Sequence, residues 1–308
     1  MGTLFHKEIF DWHSWSDHLR SVEEFRPIIG AIFERESLAR GDELGLFTPA
    51  TNAVFRAGSY VIKIFAPEEA GIASNVGYEL EVRSTRRAHE LGIRTPRIVA
   101  ASYLQDKYLF PYIISEFIEG EVAGQAFKKY DLTKRMQFIE DLKSNMSRYN
   151  IKPDHAVDSA GIRIQALTNH RWQEFPPSVR SQVMSFIDEL DLSNLVRVHG
   201  DINAKNVIVD RNDQLYMIDF AESSYAPYWY EYPPILFDLF DHDRAAILAF
   251  VGDAGHPDGA EMLFGALLLH DFGADYIREI YLRSTGKTVQ EMSDIYELRD
   301  ILEELLKG

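Results

Sequence analysis

A short β-like island inside a long helical stretch constrains this chain more than any other feature. Residues 195–198 are apolar and extended, and they run into His199-Gly200-Asp201-Ile202-Asn203-Ala204-Lys205-Asn206. Residues 207–209, a polar turn over 210–214, and residues 215–218 then read as a hairpin, which ends on Ile218-Asp219-Phe220. On either side the pattern is helical, with apolar residues at helical spacing over 132–149, 177–190, 243–251, 258–269, 274–284 and 289–306.

The first part of the chain has a different texture. Phe25, Ile28, Ile29, Ile32 and Phe33 place an amphipathic helix over 22–38. Strand-like segments follow at 44–47, 53–56 and 60–65, with Ala57-Gly58-Ser59 as the turn between the last two. A second helix is expected over 76–91, stopped by Gly92 in the position where a left-handed C-cap is favoured. Pro96 then introduces an extended segment, 97–102, and 112–118 reads as a strand running into a connector at Glu119-Gly120. The expected architecture is α+β: a small β-rich amino-terminal lobe, 1–118, with a helical extension at its start, and a larger, mainly helical lobe, 119–308.

The island carries chemistry. Moving a phosphoryl group onto a hydroxyl requires a base that orients the nucleophile and a cation that neutralises phosphate charge. Mg²⁺ prefers oxygen ligands and takes only a few from protein. An Asp before a loop, an Asn five residues on and an Asp after a hairpin supply one base and two metal ligands. In the first lobe, Tyr60-Val61-Ile62-Lys63-Ile64-Phe65 sets one Lys within an apolar strand, where an ammonium without an anionic partner would be costly. The helix that follows offers Glu79 and Glu81.

These motifs resemble the aminoglycoside phosphotransferase superfamily, which includes choline and other small-molecule kinases and has a protein-kinase-like two-lobed fold. The resemblance spans about 53–269 and is sharp only in the short motifs. It implies Asp201 as catalytic base, Asn206 and Asp219 as Mg²⁺ ligands, and His199 as a residue supporting the loop. It also implies that Lys63 meets the phosphates of ATP, or of GTP, while paired with Glu81, whose spacing to Gly92 and Pro96 fits better than that of Glu79. Glu116, Phe117 and Ile118 stand where a hinge would meet the base. No glycine occurs in Thr48-Pro49-Ala50-Thr51-Asn52-Ala53, where protein kinases carry a Gly-rich loop, so Thr51 and Asn52 are the polar groups expected at the phosphates.

The expected activity is ATP- and Mg²⁺-dependent transfer of a γ-phosphate to a small-molecule hydroxyl, as in an aminoglycoside, an amino alcohol or a sugar. Candidate acceptor-site residues are Glu222, Tyr228, Glu231 and Asp238. Acidic walls suit an amine-bearing acceptor, and aromatic ones suit sugar faces or quaternary ammonium. The rival reading is a catalytically silent nucleotide-binding pseudokinase, against which the five residues Lys63, Glu81, Asp201, Asn206 and Asp219 are all present. A protein kinase fits less well, since no Ala-Pro-Glu element follows Asp219 and no room remains for a long activation segment.

Composition narrows the partners. The formal net charge of -16 opposes nucleic-acid binding, which rests on Lys and Arg neutralising phosphates. Cysteine is absent, which excludes thiol nucleophiles and thiolate metal sites and fits a reducing compartment. The amino terminus lacks a signal-peptide core, and no apolar run is long enough to span a bilayer, so cytoplasm is expected. Ser284-Thr285-Gly286-Lys287-Thr288 imitates the tail of a P-loop, but Tyr281 stands where its leading glycine belongs. The spacing of His6, His13 and His18 matches no structural zinc pattern.

Overall fold

The structure is a computed structural model that describes residues 2–39, 41, 43–47, 51–252 and 259–307. The chain forms two compact units: Met1–Gly120 together with Tyr216–Glu222, and Glu121–Leu215 together with Ser223–Gly308.

The first unit is built on a five-stranded antiparallel sheet in the order β1-β2-β3-β5-β4. Its strands are β1 (Leu44–Leu46), β2 (Ala53–Ala57), β3 (Tyr60–Ile64), β4 (Ile98–Gln105) and β5 (Leu109–Glu116). Period-two alternation sorts β3 by face. Ile62 and Ile64 are fully buried in one cluster, while Lys63 lies opposite Val54 on β2 and Ile113 on β5. The face of Ile62 is covered by the amino-terminal segment with helices α1 (Trp12–Ser16) and α2 (Val22–Arg35), through Phe5, Trp15, Phe25 and Ile29. Both oxygens of the Asp106 carboxylate pin this segment by accepting from the Leu4 and Phe5 N–H groups. The other face holds Phe65, Ile113 and Tyr78 in a smaller cluster beneath helix α3 (Ser74–Glu90).

Helix α3 ends as its sequence predicts. Gly92 adopts φ +72°, its N–H bonds the His89 carbonyl, and the Ile93 N–H bonds the Ala88 carbonyl, the paired bonds of a Schellman motif. The segment 216–222 brings the Met217 N–H to the Arg94 carbonyl at 2.9 Å. It closes with a 3₁₀ turn, Phe220–Glu222, against which α3 packs.

The second unit is mainly helical. The strand β6 (Gly120–Val122) leads into it, followed by α4 (Ala123–Lys129), α5 (Leu132–Tyr149), α6 (Ala160–Leu167) and α7 (Pro177–Glu189). Short strands β7 (Val196–Val198), β8 (Val207–Asp210) and β10 (Ser224–Ala226) come next, with β7 and β10 antiparallel; of β9 (Leu215–Met217), Tyr216 and Met217 belong to the first unit. A single π-helical turn occupies Pro234–Leu239. Helices α8 (Arg244–Val251), α9 (Gly259–Leu269), α10 (Gly273–Thr285) and α11 (Tyr296–Leu306) complete the unit. The sequence of α9 is apolar all round, and Leu263, Phe264, Ala266, Leu267, Leu268 and Leu269 are all buried, as expected of a central helix.

Two expectations change. The helix expected over 289–306 is broken: Val289–Glu291 is a 3₁₀ turn, and the Glu297 carboxylate accepts from the N–H groups of Ser293 and Asp294, so α11 begins only at Tyr296. The helices α1, α4 and α6 were not individually expected. The P-loop imitation is settled by Gly286, which caps α10 at φ +72° with its N–H on the Leu282 carbonyl. No described helix is long and apolar enough to cross a membrane.

Candidate active site

In the first unit, β3 and α3 bring a lone ammonium to two carboxylates. Lys63 Nζ lies 2.7 Å from Glu81 Oε2 and 2.8 Å from Asp219 Oδ1. The side chains of Lys63 and Glu81 are only 12% and 10% exposed, whereas that of Asp219 is 43% exposed. Burial works against the Lys63 ammonium, but the Asp219 and Glu81 carboxylates outweigh it and hold the group charged, above its ordinary range. Burial pushes the Glu81 carboxyl up to about 7, with Lys63 pulling the other way. Glu79, the alternative partner, is exposed. Asp219 adopts φ +62°, a left-handed backbone that Asp tolerates better than most residues.

The residues expected at a hinge, Glu116, Phe117 and Ile118, lie at and just after the end of β5. The Glu116 N–H donates to the Arg97 carbonyl and the Phe117 N–H to the Ser59 carbonyl at 2.9 Å. The Arg56 guanidinium lies 3.9 Å over the Phe117 ring. Ile118 follows, half-buried. Of the loop between β1 and β2, residues 48–50 lie outside the described residues. The Thr51 carbonyl accepts from the Trp15 indole at 3.0 Å, and Asn52 Oδ1 accepts from the Ala66 N–H at 3.3 Å. The amino-terminal extension thus braces this loop, a role its sequence did not announce.

In the second unit, β7 delivers His199, Gly200 and Asp201. His199 is fully buried, and its Nδ1 accepts from the Asp201 N–H at 3.3 Å. Asp201 Oδ2 accepts from the side-chain amides of Asn203 at 2.9 Å and Asn206 at 2.8 Å, and Asn206 also donates to the Asp201 carbonyl. Asn203 Oδ1 in turn accepts from the N–H groups of Lys205 and Asn206. The loop is closed on itself by side-chain amides. Because the Asn206 amino group is committed to Asp201, its Oδ1 is the atom left for a cation, a hard oxygen like those of Asp219 and of the kind Mg²⁺ accepts. The loop also touches α4 closely: the Gly124 N–H bonds the Ala204 carbonyl at 3.0 Å, and a Cβ at position 124 would lie 2.5 Å from the Ala204 Cβ.

Glu231 is only 1% exposed, and its Oε1 accepts from the backbone N–H of His199 and, at 3.4 Å, of Gly200. It therefore holds the loop with one carboxylate oxygen and is buried, where an exposed residue was expected. Burial, opposed by those two N–H groups, pushes its carboxyl up to about 8. Asp238 is exposed and caps the loop, accepting from the Ala204 N–H at 2.8 Å. Tyr228 is exposed with its hydroxyl on the Met262 sulfur. Glu222 is exposed and belongs to the first unit.

Two residues were missed by sequence reasoning. Tyr276, on α10, lies close enough to Asp238 and Asp201 that burial and then their charges push its hydroxyl above the ordinary range. His270, after α9, places Nε2 3.1 Å from the Gly200 carbonyl. Neither gives a local signal, since the partners lie far along the chain. Among the described residues no group of three or more His, Asp or Glu side chains is placed to hold a metal ion, and His18 pairs with Glu24 at 2.6 Å.

The sequence matches the phosphotransferase enzyme family over residues 50–264. No curated protein sequence matches it. Solved structures similar to it include the streptomycin–ATP ternary complex of APH(2")-IIa, at 15% identity and a TM-score of 0.59, covering 91% of this chain and 98% of that one. The GDP complex of aminoglycoside 2'-phosphotransferase-IIIa is similar at 14% identity and a TM-score of 0.58, covering 90% and 97%. A ternary complex of APH(4)-Ia with ADP and hygromycin B is similar at 13% identity and a TM-score of 0.57, covering 91% and 98%. The α+β architecture, an antiparallel sheet followed by a helical part, is the protein-kinase-like fold of these neighbours.

Proposed function

The chain belongs to the phosphotransferase enzyme family, and from that premise we propose that it transfers the γ-phosphate of ATP, with Mg²⁺, to a hydroxyl of a small cationic acceptor. The observation that carries the reading is the buried Lys63 held between Glu81 and Asp219. An ammonium fixed in this way is poised to meet phosphate oxygens, which in such enzymes are aligned by a strand Lys.

Each residue has a role in this reading. Asp201 orients the acceptor hydroxyl and takes its proton, with Asn203 and Asn206 fixing its carboxylate. Asn206 and Asp219 hold Mg²⁺, which when bound neutralises charge on the triphosphate. Lys63, anchored by Glu81, aligns the phosphates, while Thr51 and Asn52 close the loop beside them. Glu116, Phe117 and Ile118 present backbone to the purine, which leaves GTP as a possible substitute for ATP. Asp238 and Tyr228, joined by Glu222 and Tyr276, are the groups offered to the acceptor; their charge favours an amine. The similar structures include complexes with gentamicin, streptomycin and kanamycin, which supports an aminoglycoside-like acceptor.

Calorimetric titration with non-hydrolysable ATP and GTP analogues, with and without Mg²⁺, tests the reading. Binding that depends on Mg²⁺ and weakens in Asp219→Asn is expected. Failure of both analogues to bind under either condition would overturn it.

A further inference from the structure

A glycine has the widest backbone freedom of any residue, and Gly200, at φ +90°, immediately precedes Asp201. No side chain at 200 limits where its peptide points, so the backbone leading into Asp201 needs support beyond the Asn203 and Asn206 amides that hold its carboxylate. Two groups distant in sequence supply it. On one side Glu231 Oε1 accepts from the His199 and Gly200 N–H groups. On the other His270 Nε2 meets the Gly200 carbonyl at 3.1 Å, 70 positions away in the chain.

The tautomer follows from geometry. His270 Nδ1 lies 3.1 Å from the Phe272 N–H, which can only donate. Nδ1 is therefore the acceptor, and the ring proton sits on Nε2, aimed at Gly200. The ring itself is fixed. It is 1% exposed, and the Tyr230 ring stacks at 4.5 Å while the Tyr230 hydroxyl accepts from the Asp271 N–H. Tyr230 and Glu231 are consecutive, so one short turn supports the imidazole with one residue and the loop backbone with the next. Behind the ring the chain turns tightly into α10. The Gly273 N–H bonds the His270 carbonyl at 2.9 Å, and a Cβ at 273 would collide with the Leu267 carbonyl at 1.7 Å.

We propose that His270 is a positioning residue for phosphoryl transfer: its Nε2–H holds the carbonyl of the peptide that leads into Asp201, while Glu231 holds the N–H groups of the two preceding peptides, and together they fix the backbone that aims Asp201. The proposal rests on Asp201 being the base, as argued above. A buried imidazole needs partners for its nitrogens whatever its role, so rate makes the distinction: were the contact structural only, an apolar side chain of like size would change stability without consequence for kcat.

The test uses the full chain and two substitutions, His270→Gln, which keeps a donor, and His270→Leu, which does not. Transfer of the γ-phosphate of Mg·ATP to water, releasing ADP and phosphate, supplies the readout, since the acceptor is unidentified. His270→Leu is expected to lower kcat about 10- to 100-fold, the scale on which small displacements act, with KM for ATP unchanged. His270→Gln is expected to restore most of the loss. Equal losses in both variants, or full turnover in the Leu variant, would overturn the positioning role. Long-range ¹⁵N–¹H correlation spectra of the wild-type imidazole give a second, activity-independent reading. The Nε2–H tautomer is expected, and an Nδ1–H tautomer would refute the clamp even if the Leu variant failed to fold. Absence of any nucleotide turnover in the wild type would instead overturn the phosphotransferase reading, and the role of the clamp in transfer with it.

Discussion

Lys63 and Asp219 stand 156 positions apart in the chain and 2.8 Å apart in the structure. With Glu81 on its other side, the ammonium joins strand, helix and the returning segment 216–222. Replacing it, as in Lys63→Met, leaves the Glu81 carboxyl buried without its cation, a change that costs about 3–5 kcal/mol. Protonating Glu81 relieves part of that cost. Burial already raises its folded-state pKa, to about 7 from 4.5, and losing Lys63 raises it further. The unfolded chain is the same in both proteins, so the penalty should grow as pH rises through the wild-type folded-state value of about 7. Urea midpoints of the variant and wild type are expected to lie closer at pH 5 than at pH 8; an equal gap at both would count against the pairing.

The backbone of Asp219 adds a second consequence. At φ +62°, Asn is tolerated and Ala is strained by about 1–2 kcal/mol. Asp219→Asn and Asp219→Ala should both weaken Mg²⁺-dependent nucleotide binding in calorimetry. Only the Ala variant should show the extra loss of stability in chemical denaturation. Retained Mg²⁺ dependence in both variants would take Asp219 out of the site.

Asp201→Asn should lower turnover by about 10²–10⁴-fold, the usual share of a positioned base. Nucleotide affinity, measured by calorimetry, should be essentially unchanged. Near-normal turnover on a true acceptor would mean that another group takes the proton.

The imidazole of His270 predicts an acid limb in stability. Burial, aided by the positive charge of Arg171, holds it at about 3 against the ordinary 6.5. The unfolded chain thus binds its proton first, and stability falls as pH drops from 6.5 towards 3. The loss reaches on the order of 4 kcal/mol at the bottom of that window. His270→Gln, which cannot take up the proton, should flatten this limb. Glu231 works in the opposite sense: its folded-state pKa is raised to about 8, so its contribution is full at low pH and is lost as pH rises from 4.5 through 8. Parallel acid limbs in wild type and variant would exclude His270 as the source.

Gly124 gives a test of loop placement that touches no ionisable group. A Cβ there would press on the Ala204 Cβ at 2.5 Å, so Gly124→Ala should push the loop and lower turnover by about tenfold or more. Adding Ala204→Gly should recover much of the loss. A double variant no better than the single one would show that the loop does not yield at this contact.

The legible parts of this molecule are the ones written in short stretches of chain. The island at 195–218 announces a strand, a loop and a hairpin because its apolar residues and turn residues are adjacent. The loop bonds that join Asp201, Asn203 and Asn206 also span only a few positions. The Gly92 cap was legible for the same reason, and the α+β class followed from the change of periodicity along the chain. What escaped depends on distant partners. Nothing near Phe5 or Trp15 says that they cover a sheet whose strands lie at 44–116, and nothing near His270 names Gly200. Glu231 sits in an aromatic run that reads as a surface wall, yet its carboxylate turns inward to backbone N–H groups 31 and 32 positions earlier. The break in the last helix was hidden because Glu297, a good helix former, spends its carboxylate on the backbone at Ser293 and Asp294.

The membership of Tyr216–Glu222 in the first unit bears on how the protein is born. A nascent chain that has reached Gly120 holds the sheet and α3 but lacks Asp219 and the fully buried Phe220. At about 5–20 residues per second, roughly 5–20 s of translation separate that moment from the arrival of residue 222. Throughout the interval Lys63 and Glu81 have each other and no Asp219, and the surface of α3 that will receive Phe220 stays open. Cotranslational folding of the amino-terminal unit therefore ends only after four helices of the other unit have been synthesised, and a complete sheet waits for that whole time with α3 only partly covered.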